Sequence, residues 1–138
     1  MIAYEDAAAA IGWLEHAFGF RERSGSRHTD EDGRIGHAEL ELDSGAGRGI
    51  VFVASPTPEY RGPRRHAEEC EQARRWQEVP YVVDGLHVLV DDVDAHFTQA
   101  LDAGARILSE PKDQPHGERI YRVEDLEGHR WMFAQLTG

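Results

Sequence analysis

At 138 residues the chain is long enough for one hydrophobic core and too short for two independent ones. Fifteen basic against 26 acidic side chains give a formal charge of −11, which repels polyphosphate and argues against a nucleic-acid partner. Cys70 is the single cysteine, so an intrachain disulfide and a Cys-rich zinc site are both excluded. No apolar run approaches the roughly 20 residues of a membrane helix, and the acidic start lacks the basic flank of a signal peptide. The expectation is a cytoplasmic chain with neither a membrane nor a nucleic-acid partner.

In chain order, Asp6 is placed to cap a helix in which Ala7, Ala10, Ile11, Leu14 and Phe18 recur at helical spacing, and Gly19 closes it. Extended runs follow over Phe20 to His28, Arg34 to Leu42 and Gly49 to Ala54, with Asp30-Glu31-Asp32-Gly33 suited to a hairpin turn. Ser55-Pro56-Thr57-Pro58 then disfavours regular structure, and His66 to Trp76 reads as one short charged helix, with Trp76 free to cover something apolar. A second helix carries Val93, Phe97, Ala100 and Leu101 behind a cap at Asp91 or Asp92, and Gly104 suits a left-handed stop. The last strands are Arg106 to Glu110, Glu118 to Glu124 and Arg130 to Gln135.

The two halves repeat. Tyr4-Glu5-Asp6 matches Val90-Asp91-Asp92, each helix closes on a glycine, and Arg21 and Arg106 stand two residues after those glycines. The chain therefore reads as one α+β domain of two βαβββ modules, 1–54 and 81–138, joined by a linker or lid over 55–80.

Gly12-Trp13-Leu14-Glu15-His16-Ala17-Phe18-Gly19-Phe20, Val90-Asp91-Asp92-Val93 and Asp125-Leu126-Glu127-Gly128-His129-Arg130-Trp131 closely resemble the glyoxalase, bleomycin-resistance and dioxygenase (vicinal oxygen chelate) superfamily. The resemblance implies curved mixed sheets forming a cup, with the helices outside and a ligand site on the concave face. It also implies a homodimer, often with cups completed across subunits. Metal-dependent members carry His or Glu on the first and last strand of each module. Here the matching positions are Gly85, five residues before Val90, then Met132 and Val51, while the fourth would precede Met1. Glycine, methionine and valine do not retain hard or borderline divalent cations, so no metal or cofactor is expected.

Strand alternation aims His87 to the same side as Gly85, and puts Ile120, Arg122, Arg130 and Met132 on the face opposite Tyr121, Trp131 and Phe133. His37 and Glu39 share a face, and Val51 and Val53 are assigned to the cup. The expected ligand-binding set is thus His37, Glu39, Val51, His87, Ile120, Arg122, Arg130 and Met132, with no catalytic residue assigned. Such a lining suits a small molecule with aromatic or polar groups. The leading expectation is a metal-independent binding protein of the bleomycin-resistance type, for an antibiotic or secondary metabolite, and not an enzyme. The alternative is a metal-dependent lyase, isomerase or oxygenase using His37, Glu39 and His87. Arginine outnumbers lysine fourteen to one, a bias of GC-rich bacterial genomes.

Overall fold

The computed structural model describes residues 1–79 and 84–138. The expected boundary between linker and second module, at 80 and 81, lies outside the described residues. The elements are β1 (Ile2–Ala3), α1 (Ala7–Phe18), β2 (Arg21–Glu22), β3 (His28–Thr29), β4 (Ile35–Ser44), β5 (Gly47–Ala54), α2 (Pro63–Glu69), α3 (Glu71–Gln77), β6 (Gly85–Leu89), α4 (Val93–Asp102), β7 (Arg106–Asp113), β8 (Glu118–Glu124) and β9 (Arg130–Leu136). No helix among the described residues is long and apolar enough to cross a membrane.

Two mixed sheets result. The first runs β1-β5-β4-β2, with β3 also on β4, and the second runs β6-β9-β8-β7. In each, the leading strand pairs parallel to the last one and the remaining neighbours are antiparallel. The same order thus recurs in both halves, as the α+β reading of the sequence requires.

Both helices start and stop where the sequence places them. The Asp6 carboxylate accepts from Ala9 N–H at 3.0 Å, and Asp92 does the same for Ala95 at 3.0 Å. Asp92 is therefore the cap, and Asp91 instead accepts from Gly45 N–H at the tip of the β4–β5 hairpin. Gly19 ends α1 at φ 77°, a conformation that a side chain would strain.

Two expectations are corrected. The single strand from Phe20 to His28 is two short ones, because the chain turns at Ser24-Gly25, where Gly25 takes φ 76° and Ser26 N–H reaches back to Arg23 O at 3.1 Å. The single helix from His66 to Trp76 is two, broken where Cys70 adopts extended geometry at φ −136° and ψ 116°. Trp76 remains about half exposed, at 51%.

The two helices lie side by side over one shared core. Phe18 of α1 sits edge-on to Trp131 and Phe133 of β9, at 5.5 and 4.8 Å between ring centroids. His96 of α4 lies beside it, buried. Its Nε2 is 2.8 Å from the Phe18 carbonyl and its Nδ1 is 2.6 Å from the Tyr121 hydroxyl. A carbonyl only accepts, so Nε2 carries the proton and Nδ1 accepts from Tyr121.

At the far edge of the core, Asp125 is fully buried and accepts from Tyr4 Oη at 2.7 Å, Trp131 Nε1 at 3.0 Å, and the Glu127 and His129 amides at 3.0 Å each. The Tyr4 phenol is consequently held well above the usual tyrosine range, by burial first and by the Asp125 charge second.

Burial holds His96 below the ordinary histidine range, opposed only by its bond to Phe18. The unfolded chain therefore takes up a proton first as pH falls below about 6.5, and stability declines with acidification from there. The expected result is that the melting temperature of His96→Gln falls less steeply than that of the unmodified protein between about pH 6.5 and 5, as read by thermal melts. Parallel slopes would contradict it. Asp125→Ala leaves two buried donors without an acceptor and is expected to cost about 3 kcal/mol or more in urea unfolding.

Candidate functional site

The second sheet presents one face to α4 and the opposite face to the linker helices. Tyr121, Val123, Trp131 and Phe133 fill the α4 side. Across the other side the strand register sets three rows. Arg106, Glu124, Arg130 and Gly85 form the first, Ser109, Arg122, Met132 and His87 the second, and Lys112, Ile120, Ala134 and Leu89 the third. His87, Ile120, Arg122, Arg130 and Met132 thus share one face, as alternation predicts. Ile120 is 6% exposed and closes its base instead of offering contact area.

Over the first row lie α2 and α3. The Arg130 guanidinium donates to the carbonyls of Gln77 and Val79 at the end of α3. Arg64 of α2 reaches down to the Leu126 and Asp125 carbonyls at 2.9 and 3.1 Å and to the Glu124 carboxylate at 3.6 Å. Gln77 Nε2 donates to Pro63 O at 2.9 Å and closes the two helices on each other. Between this roof and the sheet is a hollow of about 780 Å³, lined by Arg64, Ala67, Arg74, Arg106, Leu108, Glu124 and Arg130 among others.

A polar cluster stands at the opposite end of the same face. Glu118 receives His116 Nε2 at 2.9 Å and His87 Nε2 at 3.2 Å, and these bonds, His116 first, hold its carboxyl below the usual carboxylate range. The guanidinium of Arg122 forms no hydrogen bond or ion pair among the described residues.

The remaining expected residues sit elsewhere. His37 and Glu39 lie on the open face of the first sheet, 3.3 Å apart, with Arg23 on the Glu39 carboxylate. They border a separate shallow hollow of about 310 Å³ with Ser26 and His28. Val51 does not join them. It pairs with Leu40 in the β4–β5 ladder and so faces the helix side, and Val53, opposite Ala38, is buried in the core. Phe52 and Ile50 take the open face instead, Phe52 with its ring 4.9 Å from His37. Every residue from Ile50 to Val53 is apolar, so alternation gave no phase to this strand. Val51 does border a third hollow of about 490 Å³ in the gap between the β4–β5 hairpin and β6, which His87 also lines.

His37, Glu39 and His87 therefore do not gather in one chain. No group of three His, Cys, Asp or Glu side chains is placed to hold a metal among the described residues. At the positions where the resemblance would put ligands, Gly85 and Met132 are neighbours on adjoining strands, and a Cβ on Gly85 would lie 4.0 Å from Met132 Cε. Neither offers an oxygen or nitrogen donor, so the residues present do not fit a divalent ion there.

Sequence reasoning missed Arg64, Arg74, Arg106 and Glu124. Arg106 and Glu124 were legible as strand residues in register with Arg130. Nothing in the charged stretch after Pro63 announced which surface it would cover.

Nε of Arg130 is buried without a partner while its terminal nitrogens hold α3, so this side chain both walls the hollow and latches its roof. Arg130→Met keeps the stem and removes the latch. The expected outcome is tryptic cleavage after Arg74 and Arg75 that is several-fold faster, with the global melting temperature changed little. An unchanged cleavage rate would remove Arg130 from that role.

A model of the glyoxalase/bleomycin resistance protein/dioxygenase superfamily matches residues 1–133. The uncharacterized protein Rv0887c of Mycobacterium tuberculosis is 30% identical over 138 residues, which cover 97% of this chain and 71% of that protein. Among solved structures, TioX from Micromonospora sp. ML1 is similar at 34% identity and a TM-score of 0.66, over 97% of this chain and 90% of that one. TnmS3, an antibiotic binding protein from Streptomyces sp. CB03234, shares the fold at 18% identity and a TM-score of 0.61, over 98% of this chain and 90% of that one. This chain belongs to the glyoxalase/bleomycin resistance protein/dioxygenase superfamily.

Proposed function

We propose that this protein is a metal-independent binding protein for a small organic molecule, of the antibiotic or secondary-metabolite kind, and that it holds its ligand in the hollow between α2–α3 and the second sheet. The observation that carries this reading is the roofed hollow itself. It lies on the same face of the second sheet as Gly85 and Met132, where the superfamily's coordinating positions carry no oxygen or nitrogen side-chain donor. Its volume falls within the range of small-molecule pockets, and its mixed lining combines the apolar Leu108 and Ala67 with fixed polar groups. The description of TnmS3 as an antibiotic binding protein points in the same direction.

Arg122, Met132 and His87 extend the same surface outward from the roofed row, and a ligand longer than the hollow would lie along them. His37 and Glu39 belong to the open face of the first sheet, where Ile50 and Phe52 are 45% and 41% exposed. That uncovered apolar pair supports a homodimer in which this face is closed by a second copy. A cytoplasmic location accords with the lone cysteine and the absence of paired thiols.

The test is isothermal titration of chelator-treated protein with a panel of planar aromatic and peptide antibiotics. At least one is expected to bind with a micromolar or tighter dissociation constant, unchanged by added Zn, Mn, Fe or Ni. Binding or turnover that appears only when one of these metals is restored would overturn the proposal.

A further inference from the structure

The roofed hollow is cationic in a chain that is otherwise strongly acidic. Its wall carries four guanidinium groups, Arg64, Arg74, Arg106 and Arg130, against three carboxylates, Glu68, Glu78 and Glu124, while the chain as a whole has a formal charge of −11. The count leaves one positive charge in excess, and the pairing concentrates it on the sheet. Glu124 is 2% exposed and lies between Arg64 at 3.6 Å and Arg106 at 3.4 Å, so one carboxylate is shared by two cations. The partners of the terminal nitrogens of Arg130 are the neutral carbonyls of Gln77 and Val79, and no carboxylate forms an ion pair with it among the described residues. Glu68 and Glu78 are exposed and, like Arg74, form no ion pair among the described residues.

We propose that this hollow selects an acidic ligand, one that carries a carboxylate, sulfonate or phosphate group on an otherwise apolar body. The proposal rests on the binding reading above and adds the charge of the ligand to it. The anionic group meets Arg74 and Arg106, whose guanidinium forks offer paired N–H donors to a planar or tetrahedral oxyacid. The apolar body lies against Leu108, Ala67 and the aliphatic stems of the arginines. Repulsion from the acidic surface does not cancel this attraction. Charges more than about 8 Å away are largely screened at physiological salt, whereas guanidinium groups in the wall act at contact distance.

Two fluorescent probes with the same ring system separate the contributions: 1-anilinonaphthalene-8-sulfonate, which is anionic, and N-phenyl-1-naphthylamine, which is neutral. Each is titrated into the full chain and into Arg74→Gln, Arg106→Gln and, as a control on the first sheet, Arg23→Gln. The sulfonate is expected to bind about tenfold more tightly than the neutral probe. Arg74→Gln and Arg106→Gln should each weaken it about threefold to tenfold, leave the neutral probe unmoved, and be mimicked by rising salt. Equal affinities for the two probes would overturn the charge selection and leave the binding reading standing. A sulfonate preference that responds to Arg23→Gln and not to Arg74→Gln or Arg106→Gln would also overturn it, by placing the anion elsewhere. If neither probe binds, the binding reading itself fails, and this inference with it.

Discussion

The arrangement of the two halves depends on one buried carboxylate. Asp125, in the turn between β8 and β9, gathers Tyr4 from the start of the chain, Trp131 from the last strand and two amides of its own turn. A carboxylate taken out of water is tolerated only when its lone pairs are filled, and four donors fill them here. Because Tyr4 ends the segment that leads from β1 into α1, this one acceptor fixes where the first helix begins relative to the second sheet. His96 then fixes where that helix ends, through the Phe18 carbonyl. With both ends of α1 tied to the second half, the aromatic cluster of Phe18, Trp131 and Phe133 has a single geometry.

Packing the aromatics of β8 and β9 on the helix side has a consequence for the other side of the second sheet. That face is left with charged and aliphatic residues, and an uncovered row of Arg106, Glu124 and Arg130 would by itself bind little. The linker changes this. By folding into two short helices latched to Arg130 and to the β8–β9 turn, it converts a flat ionic row into a partly covered groove, in which Glu124 and the Nε of Arg130 are buried while the guanidinium groups of Arg74 and Arg106 stay open to an incoming ligand. The first sheet has no such roof. Its ion pairs among Arg21, Arg23, Arg48 and Glu41 remain on an open face beside Ile50 and Phe52.

Much of this was legible in the sequence, and the parts that were not share a cause. Helix limits at Asp6, Gly19, Asp92 and Gly104 followed from local chemistry, since a cap or a left-handed stop depends on a few neighbouring residues. The facing of β8 and β9 followed from alternation, because polar and aromatic residues take turns along them. In β5 the run Ile50-Val51-Phe52-Val53 has no polar residue to set the phase, and only pairing with β4 decides that Val51 looks inward to the helices and Phe52 outward. The role of the linker was illegible for a related reason. Its contacts with Glu124, Asp125, Leu126 and Arg130 are long-range, and no residue within 63–77 encodes its partner locally.

The central claim is that small molecules enter the space beneath α2–α3. Backbone amide shifts of isotopically labelled protein, followed by NMR as 1-anilinonaphthalene-8-sulfonate is added, test it most directly. Perturbations should concentrate in residues 64–78 and in the row of Arg106, Glu124 and Arg130, fading toward the first sheet. Shifts confined to His37, Ile50 and Phe52, with the roof helices unmoved, would contradict it.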